Sequence, residues 1–158
     1  MSKFLHLFLA FITFSGLLNA QDPFPGRIVL DETIAPFYHG VASGDATSSK
    51  VIIWTRITTD QPSAEVLWRV AKDSLFQNIV SQGSFNTSAE RDFTVKVDVT
   101  GLEQNTWYFY EFESDGQLSI RGRTKTLPTE DIEHFRFAFA SCASYPHGYF
   151  NAYQRIRE

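Results

Sequence analysis

The sequence predicts a mostly β protein: an immunoglobulin-like or fibronectin type III-like sandwich over residues 37–128, followed by the first strand and helix of an α/β domain. Three observations carry that expectation. From Phe37 to about Leu127, short runs of alternating apolar and polar residues are separated by turn residues, about seven strands in about 90 residues. After Leu127-Pro128 the alternation stops, and Phe135 to Cys142 reads as nearly apolar on both faces. Beyond it Tyr149, Ala152, Tyr153 and Ile156 recur at i, i+3, i+4 and i+7, the spacing of one helix face.

Composition agrees with a folded chain. Of 158 residues, 43% are apolar and 15% aromatic, which a disordered segment would not carry. The formal charge of −4 lacks the basic footprint of a nucleic-acid binder.

The first element is a signal peptide over residues 1–20. Lys3 precedes an apolar stretch from Phe4 to Leu18, short of the roughly 20 residues a spanning helix needs. Leu18-Asn19-Ala20 before polar Gln21-Asp22 places cleavage after Ala20, so the chain is expected to be exported, periplasmic or secreted, with no transmembrane segment left. With no Arg-Arg pair near the start, the route reads as Sec-type. Residues 21–36 are rich in Pro, Gly and Asp and read as an extended leader.

Within the sandwich, Val51 to Ile57 and the alternation Val66, Trp68, Val70 each mark a strand. The clearest runs from Phe93 to Val99, with Phe93, Val95, Val97 and Val99 on one face and Thr94, Lys96 and Asp98 on the other. Trp107–Phe112 and Leu118–Thr124 flank Ser114-Asp115-Gly116-Gln117, a hairpin turn signal. Segments near 37–43 and 78–85 complete the set. Gly101-Leu102 to Thr106-Trp107-Tyr108 is similar to the fibronectin type III corner, in which a tyrosine hydroxyl bonds to upstream backbone; Gln104 stands where that pattern has Pro. Tyr108 is therefore expected to be structural. Trp54, Trp68 and Trp107 are expected in the core rather than on a sugar platform, and Asp45 and Asp92 at turns or on the surface rather than as ligands.

Thr129 to Glu133 is an acidic connector, and residues 134–158 begin the second domain, whose helix the chain leaves unfinished. Ser141-Cys142-Ala143-Ser144 stands at the carboxyl end of the expected strand, where open α/β sheets bind ligands. A thiolate there suits a metal ligand or a nucleophile. His147, in the turn Pro146-His147-Gly148, is the local candidate base, and a loop histidine otherwise. The other reading of Cys142 is a small buried hydrophobe. As the one cysteine it has no internal disulfide partner.

Ordered blocks give these residues a context. His39-Gly40-Val41-Ala42-Ser43-Gly44-Asp45, Val51 to Arg56, Tyr108 to Phe112 and Gly122-Arg123-Thr124-Lys125-Thr126-Leu127-Pro128 resemble the opening of the PhoD-like alkaline phosphatase/phosphodiesterase family. So do Arg136-Phe137-Ala138-Phe139-Ala140-Ser141-Cys142 and Gly148-Tyr149-Phe150-Asn151-Ala152-Tyr153. The resemblance implies an N-terminal sandwich followed by a calcineurin-like α/β metallophosphoesterase domain, truncated in this chain, hydrolysing phosphate mono- or diesters to release phosphate. It implies a centre of iron and calcium in which Cys142 is the thiolate ligand to iron. The calcium ligands and the remaining iron ligands lie downstream of residue 158. No catalytic residue falls within this chain, which alone is expected to be inactive. Softer thiolate suits iron and hard oxygen suits calcium. Two rival readings are a secreted fibronectin-like binding module without catalysis and a purple acid phosphatase fragment; the block from Phe135 to Glu158 favours the PhoD-like one.

Overall fold

The computed structural model describes residues 30–134, 136–141 and 151–157. A compact unit over Val29–Phe137 holds the sandwich; the described residues 138–141 and 151–157 belong to a second unit.

In the first unit, alternation becomes two antiparallel sheets. The strands are β1 Val41–Gly44, β2 Lys50–Arg56, β3 Ser63–Ala71, β4 Ile79–Ser88, β5 Thr94–Thr100, β6 Trp107–Ser114, β7 Gln117–Leu118 and β8 Gly122–Lys125. One sheet runs β1-β2-β5; the other runs β4-β3-β6-β7, with β8 also on β6. Successive strand side chains point to opposite faces. Val51, Ile53, Val95 and Val99 therefore enter the core from the first sheet, and Val66, Val70, Tyr108, Tyr110 and Phe112 from the second. Phe37 closes the cluster from the segment before β1. The Tyr110 and Phe112 rings meet edge-on, 6.3 Å apart at 83°.

Turn chemistry fixes the register. Asp115 (φ 50°) and Gly116 (φ 74°) form a two-residue loop between the paired residues Ser114 and Gln117. Both central residues have positive φ, as a type I′ hairpin requires. Between the Phe112/Ser119 hydrogen bond and the Tyr110/Gly122 pair, the β7–β8 side carries one residue more than β6. That bulge re-aims Arg121. At the opposite corner the Glu103 amide donates to the Tyr108 hydroxyl at 2.8 Å, so the tyrosine corner expected from Gly101–Tyr108 is present.

Some expectations need correction. The fifth strand begins at Thr94, because Asp92 (φ 52°) and Phe93 (φ 51°) are both left-handed and end the turn that follows β4. Val97 is only partly buried. The described end of the leader is not extended: Glu32–Ile34 is a 3-10 turn whose first residues are capped by Asp31, accepting from the Thr33 amide at 3.0 Å and hydroxyl at 2.6 Å. Trp68 is half-buried and packs against the core, but Trp54, on the face of β2 opposite buried Ile53 and Thr55, is half-buried outside it, and Trp107 is 49% exposed on the outer face of β6. Its neighbour Tyr108 takes the inward position, which forces Trp107 outward.

In the second unit, α1 covers Asn151–Arg157, in the place that the Tyr149–Ile156 spacing indicates. Its apolar residues Tyr153 and Ile156 are about half exposed (46% and 51%). The strand expected from Phe135 to Cys142 is not formed over the described residues 136–141. They are not in a strand, and Phe137 and Phe139 are exposed. A strand apolar on both faces gains its hydrogen bonds and burial only from a surrounding sheet. No described strand supplies one.

Candidate functional site

Cys142, the expected iron ligand, and His147, the candidate base, lie outside the described residues. Among the described residues no group of three or more His, Cys, Asp or Glu side chains could hold a metal ion. Asp45 is an exposed turn residue with φ 49°. Asp92 ends the 3-10 turn Ala89–Arg91 and takes both arms of Arg56, Nε to Oδ2 at 3.0 Å and Nη2 to Oδ1 at 2.7 Å. The guanidinium holds the Asp92 carboxyl below its ordinary range. On its other side, Arg56 Nη1 meets the His39 ring. Asp92 is thus a surface ion-pair partner. Among the described residues no carboxylates or imidazoles are assembled as an iron or calcium centre needs, so no catalytic step is assigned to them.

The most enclosed charged side chain among the described residues lies on the five-stranded sheet. Glu111 is 1% exposed although it points away from the sandwich core. Its Oε1 accepts from Arg69 Nε at 2.7 Å and from Arg69 Nη2, and its Oε2 accepts from Arg121 Nε at 3.1 Å. Phe76 covers both arginines, with its ring centroid 5.0 Å from the Arg69 guanidinium carbon and 5.6 Å from that of Arg121. The covering loop is tied by Asp73, whose carboxylate accepts from the amides of Leu75, Gln77 and Asn78, and by Arg121 Nη1 donating to the Ser74 carbonyl at 2.7 Å. A buried carboxylate costs several kcal/mol in desolvation and is tolerated only when paired and hydrogen-bonded. Both Glu111 oxygens are engaged, so it offers no free base. Its role is to bind β3, β6 and the bulge after β7 into one sheet. Sequence reasoning missed this network, and the available signal was a lone carboxylate inside the aromatic run Tyr108 to Phe112.

Next to it runs a groove of about 430 Å³, lined by Leu67, Leu118, Glu65, Ser84 and Glu113 and ending on Arg69 and Glu111. Its arginine and its buried glutamate are engaged with each other. Beyond the network, on the same outer face, Arg123 and Lys125 of β8 alternate with buried Thr124 and stand across from β6. The Arg123 guanidinium lies 4.6 Å from the centre of the Trp107 ring and Lys125 Nζ 5.7 Å.

The comparisons with known proteins decide the family. The sequence model of the PhoD-like phosphatase N-terminal domain matches residues 27–128, which hold both sheets. The chain belongs to the PhoD-like phosphatase family, as its N-terminal domain. The chain is 40% identical over 131 residues to alkaline phosphatase D of Bacillus subtilis (strain 168), a match covering 77% of this chain and 22% of that protein. It is similar to the solved structure of PhoD at 38% identity and a TM-score of 0.73, covering 81% of this chain and 26% of that one. The chain therefore spans about a fifth of the length of the curated relative it matches. Cys142, His147 and α1 lie beyond the 27–128 match of the PhoD-like domain.

Proposed function

We propose that this chain is the N-terminal part of an exported, metal-dependent phosphoric ester hydrolase, with the sandwich as an accessory domain and hydrolysis performed by the remainder of the protein. The likeness to alkaline phosphatase D, 40% identical over 131 residues, is the observation that carries the reading. Export is supported by the charged start and short apolar stretch from Phe4 to Leu18, with cleavage after Ala20. Among the described residues no helix is long and apolar enough to cross a membrane.

Cys142 is proposed as the thiolate ligand to iron, with calcium held by oxygen ligands outside this chain. Bound metal ions would polarise the phosphoryl oxygens and supply hydroxide at neutral pH. The domain division at 128–134 is part of the same proposal: a sandwich ending at Leu127-Pro128, an acidic connector, and a phosphatase domain beginning near His134.

The test compares two polypeptides, this chain and the protein extended to the length of its relative. Both are assayed with p-nitrophenyl phosphate and bis-p-nitrophenyl phosphate, with iron and calcium and after chelation. The extended protein is expected to release p-nitrophenol only with metal, and the 158-residue chain to stay at background. Turnover by the short chain, or chelator-insensitive turnover by the long one, would overturn the reading.

A further inference from the structure

We propose that the outer face of β8, where Arg123 and Lys125 stand beside the exposed ring of Trp107, is a docking surface for a phosphate-bearing polyanion. The proposal rests on the phosphate-ester reading above for its choice of phosphate. The surface itself rests on geometry.

Arg123 and Lys125 are exposed and have no carboxylate partner among the described residues. In a protein of net charge −4, two neighbouring cations without a carboxylate partner make a local positive patch. Trp107 accounts for how they stand. It is 49% exposed, and the two cations sit at its ring in place of ion pairs. Cation–π contact holds them on the surface without neutralising them, which lowers the entropy cost of engaging an anion. Arg121, just before β8, is committed to Glu111, which it shares with Arg69, and to the Ser74 carbonyl.

The spacing favours a polymer over a single ion. Same-face residues on a strand recur at roughly 6–7 Å, so one orthophosphate meets one cation while a chain of phosphates meets both. The guanidinium fork of Arg123 matches phosphate oxygens two at a time. No cavity is needed for such a ligand, and the face is open.

Binding is measured on the 158-residue chain itself, with inorganic polyphosphate as the probe and orthophosphate and polyglutamate as comparisons. Polyphosphate is expected to bind with an affinity that falls as salt rises, and Arg123→Gln with Lys125→Gln to weaken it by about tenfold. A charge-matched control, Lys50→Gln with Lys96→Gln on the other sheet, should change it by less than about twofold. Trp107→Leu, checked for folding by circular dichroism, should weaken binding while leaving the charge intact. Equal losses in the two double variants would reduce the effect to net charge and overturn the site. Polyglutamate binding as tightly as polyphosphate would replace the ligand with an acidic polypeptide and overturn the phosphate assignment. No turnover enters these measurements, so an inactive full-length protein would defeat the hydrolase reading and leave the binding result standing.

Discussion

Gly122 pairs directly across from Tyr110, and a Cβ built on it would lie 2.1 Å from the ring carbon that bears the hydroxyl. The ring of Tyr110 fills the space a side chain would take. The same arrangement recurs on the other side of the sheet, where a Cβ on Gly83 would meet the Trp68 ring at 2.9 Å. Both glycines are there because a cross-strand aromatic lies over the backbone, and both aromatics line the sandwich interior. Gly122→Ala should therefore destabilise the domain by about 1–3 kcal/mol, the usual cost of forcing a packed side chain off its position. Gly44→Ala, at a position with no atom within 4 Å, is the control and should change little. Urea unfolding of the three proteins decides it, and an unchanged midpoint for Gly122→Ala would refute the close approach.

Tyr108→Phe keeps the buried ring and removes only the hydroxyl that accepts from the Glu103 amide. That amide lies in a loop also held by Thr126, whose hydroxyl donates to the Glu103 carbonyl at 2.6 Å and accepts from the Thr106 amide at 3.0 Å. An abandoned part-buried donor costs about 1–3 kcal/mol. The variant should lose stability in that range, with faster amide exchange confined to residues 102–106. Loss of protection throughout both sheets would mean that the ring, not the hydroxyl, had been disturbed.

The loop over Glu111 gives a pH dependence of known sign. Asp73 accepts from the Gln77, Asn78 and Leu75 amides at 3.1, 2.7 and 2.9 Å, and these bonds hold its carboxyl below the ordinary 3.8. A depressed folded value means the loop is favoured above the unfolded value and loses that support as pH falls through the folded one. Exchange protection of Gln77 and Asn78 should be constant at neutral pH and fall only below pH 3.8. Asp73→Ala should lack this acid-dependent step and free Phe76 from its place over Arg69 and Arg121. A carboxyl titration of Asp73 at or above 3.8 would contradict it.

How much of this was legible depends on the range of the interaction. Local periodicity shows that Val95 and Val99 face inward, that Asp115-Gly116 turns a hairpin, and that Tyr108 pins a corner, because each is set within a few residues. The same alternation carried one step further puts Trp107 on the face opposite Tyr108; reading every strand tryptophan as core packing hid that. Glu111 with Arg69 and Arg121 was not readable, since it depends on the register of β3 against β6 and on the bulge before Gly122. Phe93 departs from its apparent strand because two left-handed residues precede Thr94, a backbone choice its side chains do not announce. For the candidate site, the thiol of Cys142 is visible in the sequence, whereas a metal centre is made by residues that only a complete sheet brings together.

Cys142 gives the prediction that reaches furthest towards function, in the protein extended to the length of its relative. Cys142→Ser should lose iron and most hydrolytic activity while the sandwich stays folded. The one cysteine of the chain follows Arg136–Ser141, a segment that resembles a block of the family. Serine is close to cysteine in size, so packing around residue 142 should change little, but its neutral hydroxyl is a poor replacement for a soft thiolate. If residue 142 were only a small buried apolar group, the substitution would cost modest stability through a buried hydroxyl and leave metal content intact. Iron per protein, thermal unfolding and turnover measured on the same preparations separate the two. Coupled loss of iron and turnover, with the sandwich unfolding transition unmoved, is the expected result. Full iron occupancy and normal turnover in the serine variant would remove Cys142 from the metal centre and return it to packing.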